Sequence, residues 1–149
     1  MRLGVLGGLG PMATAYYLEL VISMTDAKRD QDHPEIIVLN IPSIPDRTAY
    51  ILGRSSENPV VPMVKLGQQM KDMGATVIAT PCITAHYFHE ALQAGIGLPL
   101  IHAIRATVDV PSSGIVAVIS RTFLSSIILT VCSASPRKLS LKGTPTLLL

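Results

Sequence analysis

The chain has 149 residues, with twelve Lys or Arg, ten Asp or Glu, 48% hydrophobic residues and 15% charged ones. That size suits one domain of ordinary length, and the low charge with the high apolar share excludes disorder over most of it. A net charge of +2 with no basic patch interleaved with aromatics argues against nucleic acid. The two cysteines, Cys82 and Cys132, make neither a disulfide framework nor a CxxC metal site, which fits a reducing, cytoplasmic setting. The apolar run at the start is too short for a signal peptide, and residues 127–131 fall far below the ~20 residues of a membrane span. The charge is uneven: residues 1–109 carry −2, whereas 110–149 hold Arg121, Arg137, Lys138 and Lys142 and no acid.

In chain order, residues 2–6 read as a short buried strand, followed by the loop Gly7-Gly8-Leu9-Gly10-Pro11. Pro11 suits a first helical turn, and apolar residues at Ala15, Leu18 and Ile22 predict a helix over 12–24. A polar loop over 26–34 leads to a second strand over 35–41, closed by Pro42, and 42–54 reads as a loop. Asn58 and Pro59 start a helix that runs to about 73 and stops at Gly74. A third strand spans 75–80, a helix 84–94, a fourth strand 98–101, a further helix starts near 104, and a fifth strand covers 114–119. The alternation predicts an α/β fold with a mainly parallel sheet and flanking helices. Such sheets place ligands at the carboxyl ends of their strands, so the loops after Leu6, Leu39 and Thr80 are the informative ones. From about Arg121 the alternation fails, and 121–149 reads as an atypical, poorly ordered tail.

The first loop can be written Gly8-x-Gly10-x-x-Ala13, a dinucleotide-type fingerprint between strand and helix. The ribose-binding acid expected at the end of the second strand is replaced by Asn40, which favours a plain tight turn whose amides suit a carboxylate as well as a phosphate. The second loop, Asn40-Ile41-Pro42-Ser43-Ile44-Pro45-Asp46-Arg47-Thr48, is stiffened by two prolines. Arg47 in it can clamp a carboxylate through parallel hydrogen bonds, or brace the loop through Asp46 or the backbone. The third loop, Thr80-Pro81-Cys82-Ile83-Thr84-Ala85-His86, puts a cysteine between a strand end and an expected helix start, where unpaired amides and a helix dipole favour a thiolate. An inert core cysteine is the alternative. His86, four residues on, is expected on the face of Cys82, where it orients or polarises the thiol or simply caps or packs. His89 and His102 lack ligand partners at metal spacing and read as structural or surface residues.

Taken together, Gly7-Gly8-Leu9-Gly10-Pro11 with Ala13-Thr14, Asn40-x-Pro42-x-Ile44-Pro45-Asp46-Arg47-Thr48, and Pro81-Cys82-x-Thr84-Ala85-His86-Tyr87 resemble the aspartate/glutamate racemase family, the cofactor-independent two-cysteine amino-acid racemases. The resemblance runs to about residue 120. It implies one lobe of a two-lobe fold with the active site in the cleft between lobes. One cysteine from each lobe would face each side of the substrate Cα, with no pyridoxal phosphate and no metal. Cys82 is then the first-lobe acid/base. Arg47 binds one substrate carboxylate, and Thr84 with the amides after Cys82 holds another. Gly8, Gly10, Met12 and Asn40, in the matching loops, are further substrate-binding candidates, and His86 is a supporting residue. The implied ligand is an acidic amino acid, with homodimerisation expected from an uncovered cleft face.

Two features depart from the family pattern. Ile83 stands where the family has Asn directly after the first cysteine. The second-lobe Gly-Cys-Thr-Glu-like motif is absent, and the surroundings of Cys132 do not match it. These departures suggest a truncated or frameshifted reading frame beyond about residue 120, and they leave two other readings open. One is a non-catalytic dicarboxylate-binding remnant. The other is a related cysteine isomerase such as a maleate isomerase; a hydantoin racemase is disfavoured by the Pro-Asp-Arg-Thr loop.

Overall fold

The structure, a computed structural model, describes residues 1–108. The expected fifth strand, the tail and Cys132 lie outside the described residues. Within them the sheet is parallel, in the order β2-β1-β3, with β1 at Arg2–Gly7, β2 at Glu35–Asn40 and β3 at Val77–Ala79. β1 pairs with β2 along its whole length, from Arg2 opposite Glu35 to Gly7 opposite Asn40. On its other edge it pairs with β3, from Leu3 opposite Val77 to Val5 opposite Ala79.

The fourth strand expected over 98–101 is reduced to one parallel bridge, Ile78 to Leu100, held by Ile78 N to Pro99 O at 2.9 Å and Ile101 N to Ile78 O at 2.8 Å. Pro99 has no N–H to extend the ladder, which accounts for its brevity.

Strands buried on both faces need a helical layer on each. Leu3, Val5 and Ala79 pack on one face against Tyr17 and Val21 of α1 (Pro11–Ser23) and Ala103 of α5 (Ala103–Val108). Leu6 and Ile78 pack on the other against Met63 and Met70 of α3 (Val60–Asp72) and Leu92 and Ile96 of α4 (His89–Ile96). Period-two alternation along the strands therefore sorts the core into two apolar clusters. None of the described helices is long and apolar enough to cross a membrane.

Two local differences from the sequence reading bear on the site. Part of the segment read as loop over 42–54 is a short helix, α2 (Arg47–Ile51), capped by Asp46, whose Oδ1 accepts from Thr48 N at 2.8 Å and Ala49 N at 3.1 Å. The helix expected over 84–94 is split into a 3₁₀ turn, Thr84–Phe88, and then α4, which ends at Gly97 in the left-handed conformation.

Gly8 lets the β1 loop run close beside the end of β2. It sits at φ +91°, and a Cβ there would collide with the backbone of Ile41, whose amide donates to Gly7 O at 3.3 Å. Gly53 also has positive φ (+68°), with nothing within 4 Å of a built Cβ. Chemical denaturation of the two alanine variants separates strain from collision. Gly53→Ala is expected to lose about 1 kcal/mol, and Gly8→Ala more than about 2 kcal/mol. Equal losses would show that the contact with Ile41 is not a constraint.

Candidate active site

The chain passes from β1 to β2 on one side and from β3 to the Leu100 bridge on the other, so a crevice forms at the carboxyl ends of β1 and β3. The loops after β1, β2 and β3 meet there: Leu9, Ile44 and Cys82, one from each, belong to one buried apolar cluster with Phe88.

Thr14 organises the first loop. Its Oγ1 accepts from Gly8 N at 3.0 Å and donates to Gly10 O at 3.1 Å. The Gly8 amide is thereby committed within the loop. Gly10 caps α1, Pro11 brings no N–H, and the amides of Met12 and Ala13 fall in the first turn, where helices leave donors unpaired. The Met12 side chain itself is 79% exposed. In the sequence Thr14 stands only as part of the first motif, and the signal for its role is a threonine one turn into a helix after a glycine loop. Asn40 ends β2 opposite Gly7 with its side chain exposed.

Arg47 ties the first two loops together. Its Nη1 donates to Pro45 O at 3.2 Å and, more weakly, to Ile44 O at 3.5 Å, and its Nη2 donates to Leu9 O at 3.2 Å. Nε is buried with no hydrogen-bond partner among the described residues. Asp46 spends its carboxylate on the α2 cap, so the brace runs through the backbone. A planar guanidinium with five fixed donors suits this task, and one Nη2–H and the Nε–H remain beyond the three carbonyls.

Cys82 is 9% exposed, with Sγ 3.3 Å from Thr84 Oγ1. It does not start an α-helix, and the physical reason lies in His86. In an α-turn the His86 amide would bond to Cys82 O. Instead that amide donates to Ile83 O at 3.0 Å, and the His86 ring takes Cys82 O through Nδ1 at 2.8 Å. A side chain has displaced the backbone donor, which tightens the chain into a 3₁₀ turn. The α-helical dipole expected at Cys82 is therefore absent, because α4 begins only at His89. His86 does lie against Cys82, but through the carbonyl rather than the thiol.

The second ring nitrogen fixes the tautomer. His86 Nε2 accepts from Ala103 N at 3.0 Å, so Nδ1 carries the proton and donates to Cys82 O. Burial holds the His86 pKa below its ordinary value. His102 is lowered too, by burial and then by His89, His86 and Arg105. Its ring centroid lies 5.4 Å from His86 and 4.4 Å from His89, whose Nε2 bonds to Leu100 O at 2.9 Å. Among the described residues no group of three or more His, Cys, Asp or Glu could hold a metal ion. An open groove between the 3₁₀ turn, α4 and α5, lined in part by Tyr87, Gln93 and Arg105, includes neither Cys82 nor Arg47. Around Cys82, Ile83 (37%) and Tyr87 (71%) give the third loop an apolar exposed rim.

An open parallel α/β lobe with its site at the strand ends, built from a glycine turn, an arginine brace and a shielded thiol, defines a broad class. Comparison with known proteins narrows it. The family model for Asp/Glu/Hydantoin racemase matches residues 6–122, and the chain belongs to that family. It is 25% identical over 127 residues to the broad specificity amino-acid racemase RacX of Bacillus subtilis, covering 80% of this chain and 54% of that protein. The structure matches the aspartate racemase of Picrophilus torridus with TM-score 0.64 and 31% identity, over 71% of this chain and 45% of the other. An aspartate racemase homologue from Pyrococcus horikoshii OT3 shares the fold, with TM-score 0.60 and 22% identity over 72% and 47%. The chain thus spans about half the length of these relatives, and its α/β unit corresponds to one lobe of their fold.

Thr80, at the end of β3, is 1% exposed, and its Oγ1 has no partner among the described residues. An idle buried hydroxyl is a desolvation penalty of roughly 1–3 kcal/mol. Thr80→Val should therefore leave the thermal midpoint unchanged or raise it. A fall in the midpoint would show that the hydroxyl has a partner in the folded chain.

Proposed function

We propose that this chain carries the first-lobe half-site of a cofactor-independent amino-acid racemase of the aspartate/glutamate type, with Cys82 as its acid/base. Family membership and the placement of Cys82 where the three loops meet support this reading. An amino-acid α-proton is hard to remove because the resulting carbanion is poorly stabilised. The available levers are a positioned base, donors on the carboxylate and exclusion of water. Cys82 Sγ would take the proton as a thiolate, with Thr84 Oγ1 beside it to donate a hydrogen bond to the sulfur or to the substrate carboxylate. The unpaired amides of the α1 first turn and of the turn after Cys82 would take carboxylate oxygens. The Nη2–H of Arg47 that its three carbonyls do not use would serve the other carboxylate of an acidic substrate. Asn40, Gly10 and Met12 would line the same mouth, and Gly8 would shape it through its bond to Thr14.

One thiol reaches one face of the Cα. Inversion needs a donor on the opposite face, so this half-site alone would exchange the α-proton of one enantiomer without inverting it. A second copy of the chain or a further lobe would supply that face.

One observation favours a second reading, an amino-acid-binding unit without chemistry: Arg47 and Cys82 are already engaged within the lobe, the one by three carbonyls and the other by burial.

Incubation with L- and D-aspartate and glutamate in heavy water, followed by measurement of α-deuteration and chirality, distinguishes the outcomes. Deuteration of one enantiomer, with or without inversion, is expected, and Cys82→Ala should abolish it. Exchange that survives in Cys82→Ala would remove Cys82 from this role, and binding without any exchange would leave the non-catalytic unit.

A further inference from the structure

We propose that His86 is the positioning residue of the Cys82 turn, and that only its neutral, Nδ1-protonated ring can do the work, because one nitrogen must donate to Cys82 O while the other accepts from Ala103 N. The first bond, 2.8 Å, closes the turn on itself, and the second, 3.0 Å, spans seventeen residues of sequence. One end sets the 3₁₀ path that follows Cys82 and with it the placing of Sγ beside Thr84. The other end is the first amide of α5, the last element described. The ring is therefore a latch between the thiol loop and the helix on which the chain continues.

The surroundings suit an uncharged ring and resist a charged one. His86 is 6% exposed. Among the described residues, the groups that face it are His89 on α4, His102 before α5 and, beyond His102, Arg105 on α5, while Cys82 meets the ring through its carbonyl. None of them is a carboxylate. Burial lowers the pKa and His89 adds to it, while the backbone contacts at Cys82, Ile101 and Ile83 pull the other way and are outweighed.

A proton added at Nε2 would set two N–H groups against each other and break the bond to Ala103. Because the folded ring binds its proton later than the unfolded one, the latch's contribution to stability is complete above the ordinary histidine value of 6.5 and is lost as pH falls through the lower folded value. Acid should free the Cys82 turn and α5 together. That the latch then governs proton transfer rests on the reading of Cys82 as the base; the latch itself does not.

The test uses the unmodified chain labelled with ¹⁵N-histidine. At about pH 8 the His86 ring should show a protonated Nδ1 and an unprotonated Nε2. Between about pH 8 and about pH 5, and after correction for intrinsic exchange, the Ala103 amide should lose at least about tenfold protection in step with His86 titration, while Val5 in β1 keeps its own. Over the same range, peptide-resolved labelling of Cys82 by 4,4′-dithiodipyridine, taken relative to a free thiol at each pH, should accelerate with the same midpoint. His86→Phe should abolish that step and label Cys82 quickly throughout. Should His86→Phe fail to fold, the titration of the native chain still decides. A protonated Nε2 at about pH 8, or Ala103 protection and Cys82 labelling that ignore His86 titration, would overturn the proposal. A latch that behaves as described in a chain that exchanges no α-proton would overturn only the racemase reading.

Discussion

The site depends on β1 being hydrogen-bonded along both edges. A strand in that position cannot shift register without breaking two ladders and turning its apolar residues to the wrong layers. Leu3 and Val5 belong to the α1/α5 layer, and Leu6 to the α3/α4 layer. With that register fixed, Gly7 ends beside Asn40, and the chain must turn at Gly8 within the space left by Ile41. The loop after β3 leaves from the strand paired to the opposite edge of β1. The three loops are brought together by strand pairing first and by their own contacts second.

Those contacts are mainly between side chains and backbone. Thr14 closes the glycine turn, Arg47 joins that turn to the loop after β2, and His86 shapes the turn after Cys82. Each is a polar side chain that satisfies buried or half-buried backbone groups where regular structure stops and the ladder can no longer do so. The surface that results carries a shielded thiol, the first-turn amides of α1 and a partly committed guanidinium, and no ion pair found among the described residues lies in it. Such a surface is organised before any ligand arrives, which is how donors can favour a developing negative charge at little reorganisation. In the proposed reading it would cover one side of a substrate, and the chain spans about half the length of its relatives.

Much of this was legible in the sequence. The runs around Val5 and Ile78 announced buried parallel strands and that around Val38 a parallel strand that is only half-buried, Pro11 and Asn58 marked helix starts, and the placement of Cys82 after the third strand followed from the alternation. Asn58 Oδ1 does accept from Val60 N, at 2.9 Å. The shortfalls have physical causes. A backbone brace was one of the two roles open to Arg47, but its acceptor at Leu9 lies 38 residues before it, beyond any local pattern, and Asp46 is no part of the brace because its carboxylate caps α2. The apolar period over 84–94 did not distinguish a 3₁₀ turn from an α-helix, because the deciding event is the His86 ring taking a carbonyl from its own backbone. The partner of Nε2, the Ala103 amide, is a tertiary contact. The fourth strand was over-read because Pro99 suits an extended chain while denying the sheet a donor.

The central claim is that the three loops form one ligand site around Cys82. Amide chemical-shift mapping on ¹⁵N-labelled protein, titrated with aspartate and glutamate, tests it most directly. The account predicts saturable shifts that cluster at residues 10–14, 40–47 and 82–86, with the Arg47 side-chain Nε–H among them. Shifts confined to the groove along α4 and α5, or no saturable shift at all, would contradict it.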